Sequence, residues 1–477
     1  MRVKKIYILL LLLMTVVLAA CGDNADTPAD TVTESADETT VTEITTPALP
    51  EILKSDYEDR TFKIIYPNWS LYNSYYFAEE LNGDVMNDTL FKRFTDIEDA
   101  LNIKMETYCP GYIDKIFPEV SKVVLAGMTD YDLALTHCIS TLTTMAQQGI
   151  LLNWHDIPVI DMDAPYWSDN ARETFTINGR MYYNANDFIL PDMNVLFFNK
   201  DMLTNYQLDD PYKITADGTW TWDVLLNQAK AVTADVNGDG TFDLNDQYGY
   251  VSDEGAAYNT QTLKSYGVNY VLVGSDGLPY LALDMDKINR VMDSIDELVK
   301  GGYTYAYGYS ADTDPNQGGK PPLGVDSNQS LYSNVPLSYA ELYRNTDVDF
   351  GILPMPKHDE AQENYRVLNV SGFMCVPMTV ADTELLGKVV ELLGYYGQEN
   401  IIPAFYDIVL NTKVSRDKES ELMLDIIFDN VVFDLGWNIE VSVQAYSTYN
   451  GNFTSYYEAN LKKWDALIEK IVTIYSE

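Results

Sequence analysis

The chain is poor in positive charge, in cysteine and in histidine. Of 477 residues, 31 are Lys or Arg against 72 Asp or Glu, a formal net charge of −41. That balance argues against nucleic acid as a partner, because phosphates are met by Lys and Arg. It also argues against anionic solutes drawn in by long-range attraction. The three histidines, His137, His155 and His358, are too scattered in sequence to suggest a metal cluster. The chain holds no G-x-S-x-G, H-E-x-x-H, P-loop or G-x-G-x-x-G fingerprint, so the common signatures of hydrolases, metalloproteases and nucleotide enzymes are missing. Of the four cysteines, Cys109, Cys138 and Cys375 follow no zinc spacing. Three cannot all pair; one disulfide is open, without an assignable pairing, beside the reading of buried free thiols.

What is present begins at the N-terminus. Arg2, Lys4 and Lys5 precede an apolar run from Ile6 to Ala20, the pattern of a secretory signal and too short for a membrane span. Leu18-Ala19-Ala20-Cys21 resembles a bacterial lipobox, in which Cys21 is lipidated and becomes the mature N-terminus. Two or more acyl chains hold a soluble domain on a membrane. Residues 21–50 contain no aromatic and no basic residue and cannot bury enough surface to offset ordering, so they read as a disordered acidic tether.

The body beyond residue 50 is long enough for two domains. FKIIY (62–66), IKMETY (103–108) and YDLALTH (131–137) have strand composition. Between them Met86, Leu90, Phe91, Phe94, Ile97 and Leu101 recur at three- and four-residue steps, which predicts a helix, and 113–126 predicts another. NVLFFNKDML (194–203) reads as a buried strand into a turn, followed by a helix at 219–234 with Thr221 as N-cap. A helix at 285–300, a Gly/Pro/Asn-rich loop near 308–324, strands at 348–354 and 372–377, and a run of helices complete the chain. The alternation predicts an α/β architecture with largely parallel sheets.

The stretch DVNGDGTFDLND (235–246) puts four aspartates into twelve residues. Asp235, Asn237 and Asp239 occupy positions one, three and five of a calcium loop, with Gly240 at the sharp turn. Thr241 would offer its carbonyl, and Asp243 and Asp246 fall at nine and twelve. Asp replaces the usual Glu at twelve. The competing reading is a polar surface turn, in which the carboxylates would repel one another. The expected cofactor is one structural Ca2+ bound with a Kd of roughly 10⁻⁴ to 10⁻³ M, as extracellular modules need.

Several stretches together resemble bacterial extracellular solute-binding proteins of ABC transporters, of the sugar-binding type, family 1. They are GRMYYNANDFILPDMNVLFFNKDML, GTWTWDVLLNQA, DFGILPMPK (349–357) and SGFMCVPMT (371–379). The resemblance implies a two-lobed periplasmic-binding-protein-like fold (type II), each lobe a doubly wound sheet with flanking helices. It implies lobe 1 over 51–190 plus 347–380 and lobe 2 over 191–346 plus 381–477. It also implies a non-enzymatic, monomeric, lipid-anchored extracytoplasmic receptor that delivers solute to an ABC permease. Its ligand would sit in the cleft between the lobes.

Sugars are held by aromatic faces and by carboxylates and amides on their hydroxyls, and Tyr (36) and Trp (7) are plentiful. Loops at the carboxyl ends of parallel strands should supply the contacts. That nominates Trp69, Tyr72 and Asn73 after the first strand, and Thr136 and His137 at the end of YDLALTH. In the resemblance Asp192 matches a hinge carboxylate and Trp437 a late stacking aromatic. Each has a structural alternative: packing for Trp69, Trp437 and His137, and a cap or solvated loop for Asp192. Trp154, Trp167, Trp220 and Trp222 read as core. Two other functions stay open. A secreted glycoside hydrolase would act through paired carboxylates, though 72 acids make coincidental pairs inevitable. A surface scaffold would use the dockerin-like loop, which a true dockerin carries twice.

Overall fold

The computed structural model describes residues 53–68, 75–137, 142–253, 256–308, 310, 312–313, 319–343, 346–410, 418–441 and 453–476. The signal, the tether and Cys21 lie outside the described residues, as do Trp69, Tyr72, Asn73 and Cys138. No helix among the described residues is long and apolar enough to cross a membrane.

Among the described residues, thirteen strands follow one another. They are β1 (Arg60–Ile65), β2 (Ile103–Tyr108), β3 (Leu133–His137), β4 (Asn194–Asn199), β5 (Tyr248–Asp253), β6 (Val271–Val273) and β7 (Pro279–Leu281). Then come β8 (Thr304–Tyr307), β9 (Ser330–Pro336), β10 (Phe350–Leu353), β11 (Val367–Leu368), β12 (Gly372–Cys375) and β13 (Val431–Val432). Two main sheets result. The first has the order β12-β3-β1-β2 and the second β10-β4-β9-β5-β8.

Local sequence accounts for these elements. The helix Val85–Leu101 starts at Asp84, whose carboxylate accepts the N–H groups of Met86 and Asn87, and turns Met86, Leu90, Ile97 and Leu101 inward. It ends at Asn102 in the left-handed region. β4 is buried at all six positions, as its continuous apolar run requires. Trp154, Trp167, Trp220 and Trp222 are core residues, as expected.

Two expectations need correction. The sheets are mixed rather than largely parallel: β1 runs parallel to β2 and β3, and β5 to β8 and β9. However, β12 is antiparallel to β3, and β4 is antiparallel to both β9 and β10. Periodicity marks a strand but says nothing about its direction. The lobe boundaries also shift. Residues 350–353 pair with β4, so they belong to the second sheet and not to lobe 1. The helix Thr383–Tyr396 packs on the first lobe rather than the second. There Glu391 accepts from Asp161 N at 3.0 Å, from Trp167 Nε1 at 2.8 Å and from the Tyr166 hydroxyl.

Two of the passages between the lobes adjoin one another. Asn184 forms a bridge with Met374, and Met193 with Asn369. Residues 184–193 and 369–374 therefore run side by side, out of one sheet and into the other.

Candidate functional site

The segment 367–375 gathers the ligand-contact candidates that the structure describes. Gly372 and Phe373 stand opposite His137 and Thr136 at the carboxyl end of β3. Val370 N donates to the Asp192 carbonyl at 2.8 Å, and Asn369 N to Val432 O at 2.9 Å, five residues before Trp437. At about 3.3 Å per residue, Val370 and Gly372 are roughly 7 Å apart. Thr136, His137, Asp192 and Trp437 thus attach within a few residues of one crossing segment.

Each candidate is buried. Thr136 donates its hydroxyl to Phe373 O at 3.4 Å. Burial pushes the His137 imidazole down to about 3, so it is neutral and not poised for proton transfer near neutral pH. Asp192 is 6% exposed, and burial lifts its carboxyl to about 7, opposed by the Met193 N–H. Its Oδ1 has no hydrogen-bond partner. Trp437 lies in the short helix Leu435–Asn438, capped by Asp434, and its buried Nε1 also lacks a partner. Buried polar atoms without partners are uncommon and need an explanation. A ligand hydroxyl would satisfy both, as acceptor and as donor.

Among the other buried polar atoms without a partner, which include core atoms such as Trp154 Nε1, two that the sequence reading missed lie on the second sheet, close to Asp192 in sequence or across from its strand. Asn194 Nδ2 and Asn334 Oδ1 are buried without partners. Asn194 is opposite Pro336 and Asn334 opposite Leu196, so the two asparagines are diagonal neighbours on one face of the second sheet. Asn334 Nδ2 donates to the Tyr250 hydroxyl at 2.8 Å. The available signal was an amide at the edge of, or inside, a strand otherwise buried throughout.

The loop 235–246 is built on internal hydrogen bonds. Asp235 accepts Gly238 N at 2.6 Å and Gly240 N at 2.8 Å, and Gly240 takes the left-handed φ of +78° that the turn requires. Asp239 accepts Thr241 N at 2.7 Å. Asp246 is fully buried and accepts Val236 N at 3.0 Å and Asp243 N at 2.9 Å. The backbone thus fits a cation loop, while the carboxylates face amides. No three His, Cys, Asp or Glu side chains among the described residues group as a metal cage. Cys109 and Cys375 are free.

No family model matches the chain, and no curated protein matches it. Solved structures do. UgpB from Mycobacterium tuberculosis in complex with glycerophosphocholine aligns with a TM-score of 0.57 at 12% identity, over 86% of this chain and 99% of that one. An ABC substrate-binding protein from Listeria monocytogenes in complex with cycloalternan gives 0.50 at 12%, over 89% and 98%. A cyclic alpha-maltosyl-1,6-maltose binding protein from Arthrobacter globiformis gives 0.50 at 10%, over 87% and 99%. Coverage of nearly the whole of each solved chain means that both lobes match. The chain has the two-lobed, periplasmic-binding-protein-like α/β fold that these binding proteins share.

Proposed function

We propose that this chain is an extracytoplasmic solute receptor that binds a carbohydrate, an oligosaccharide by preference, and hands it to an ABC permease. The observation that carries the reading is Asp192: a buried carboxylate on the crossing between the lobes, with an oxygen that no protein donor reaches. Partnerless donors and acceptors on Asn194, Asn334 and Trp437 suit a neutral, hydroxyl-rich ligand. A net charge of −41 disfavours an anionic one. Neighbours of the same fold were solved with cycloalternan and with acarbose, the latter bound to a receptor of Streptomyces glaucescens. Binding, not catalysis, is the role of such a cleft.

The proposal includes three parts that rest on sequence. A signal sequence ends before Cys21, which carries lipid and holds the receptor on the cell membrane. The permease in that membrane is its partner. One Ca2+ in the loop 235–246 staples the second lobe, held by Asp235, Asn237, Asp239, Thr241, Asp243 and Asp246; the turn at Gly240 supports it.

A thermal-shift screen of mono- and oligosaccharides, amino acids and short peptides tests the reading. A ligand that prefers the folded state raises the melting temperature. A rise with an oligosaccharide that is recovered unchanged is the expected result. A rise with peptides alone, or hydrolysis of the sugar, would overturn it.

A further inference from the structure

The helix Ala256–Ser265 buries polar side chains where a core helix ordinarily buries apolar ones. Thr260, Gln261, Thr262, Lys264 and Ser265 are all buried. Gln261 grips the crossing segment, donating from Nε2 to Arg366 O at 3.3 Å and accepting Leu368 N on Oε1 at 2.6 Å. Lys264 Nζ donates to Asp434 Oδ2 at 2.5 Å and to Asn269 Oδ1 at 2.8 Å. Arg366 donates to the same Asn269 oxygen at 2.7 Å.

Asp434 uses both of its oxygens. Oδ2 also accepts Tyr270 N at 3.1 Å, and Oδ1 accepts Trp437 N at 3.1 Å. The turn is as tight as glycine permits: a Cβ on Gly436 would lie 2.5 Å from Tyr270 Cβ and 3.0 Å from Asp434 Oδ1. Desolvation makes a buried ion pair a weak source of stability, so stability alone does not account for the Lys264–Asp434 pair.

We propose that Asp434, its charge balanced by Lys264, is the positioning residue for Trp437. It fixes the indole at the cleft and ties it to the crossing segment that also holds Asp192. This rests on the carbohydrate-receptor reading, in which Trp437 faces ligand. Trp437 Nε1 has no protein partner, which leaves its N–H available to a ligand hydroxyl.

Two double variants of the full chain test it: Lys264→Met with Asp434→Asn, and Lys264→Met with Asp434→Ala. Both remove the Lys264–Asp434 pair together and leave Arg366, which also faces Asp434, in the same state, so the two differ only at residue 434. Asn keeps an acceptor for the Trp437 N–H and Ala does not. Fluorescence from Trp437 is obtained by difference against Trp437→Phe in each background. The expected result is a wild-type emission maximum and weak acrylamide quenching in the Asn variant, with a red shift and severalfold stronger quenching in the Ala variant. Equal behaviour of the two doubles would overturn the proposal. Gly436→Ala, which leaves the ion pair in place but forces the turn apart, provides a second route; an unchanged Trp437 signal there also contradicts it. With maltotriose as probe, the Ala double loses about tenfold in affinity, close to one lost hydrogen-bonded contact, and the Asn double retains it. Failure of the wild-type protein to bind any sugar counts against the receptor reading alone, since the fluorescence comparison needs no ligand.

Discussion

The backbone N–H of Val370 donates to the carbonyl of Asp192 across 2.8 Å. That bond joins two adjoining chain crossings at the point where a buried carboxylate has no hydrogen-bond partner for its Oδ1. Stability and binding should therefore meet at Asp192.

Its pH behaviour has a definite sign. The Asp192 carboxyl sits at about 7 in the folded chain against an ordinary 3.8. Between those values the folded state holds a proton that the unfolded state has released. The ligand-free protein should lose stability as pH rises through that window, by an amount on the order of 2–4 kcal/mol. Urea melts at pH 4.5 and pH 8 measure it, wild type against Asp192→Asn. The variant should show a smaller loss; equal losses would show that Asp192 is not the group responsible.

Glu391 anchors residues 161–167 to the helix Thr383–Tyr396 through two N–H donors and one hydroxyl. Replacing it with Leu strands the buried Trp167 Nε1–H and the Tyr166 hydroxyl. A loss of roughly 2–4 kcal/mol is expected, since each buried group left unsatisfied costs about 1–3 kcal/mol. Equilibrium denaturation reads it, and a loss under 1 kcal/mol would contradict the account.

Gly397 follows the same helix. A Cβ there would lie 2.0 Å from the Asp187 carbonyl oxygen and 2.4 Å from its carbon, both backbone atoms that cannot swing away. Gly397→Ala should cost about 3 kcal/mol through overpacking of the segment that leads to the crossing. A melting temperature equal to that of the wild type would mean that the segment yields freely.

For the loop 235–246, calcium at 10–100 times its Kd should stabilise by about 1.4–2.7 kcal/mol, a shift of roughly 1.5–3 °C. Asp243→Ala should lower the melting temperature only against a calcium-loaded control. If chelator and calcium give the same transition in the wild type, the loop is a hydrogen-bonded turn and nothing more.

Much of this was legible in the sequence because burial leaves periodic marks. Met86, Leu90, Ile97 and Leu101 announced their helix, and NVLFF its buried strand. Strand direction left no such mark: β10 and β12 are both short and apolar, yet they join different sheets. The helix Thr383–Tyr396 was given to the wrong lobe because its partners, Tyr166 and Trp167, are more than 200 residues away in sequence. Asp192 is marked by the resemblance, from a loop just before the strand NVLFF. Asn194 and Asn334 are not, because an amide in a strand looks unremarkable until its partner is found to be missing. The polar helix Ala256–Ser265 was illegible for a related reason, since its partners Arg366 and Asp434 come from distant segments.

The most direct test is isothermal titration of mono-, di- and oligosaccharides into the wild-type protein and into Asp192→Ala. The account predicts that at least one oligosaccharide binds and is recovered intact. It also predicts that Asp192→Ala weakens that binding by about tenfold, the loss of one hydrogen-bonded contact, while the variant stays folded. Undiminished affinity in Asp192→Ala, or no sugar bound by the wild type, would contradict it.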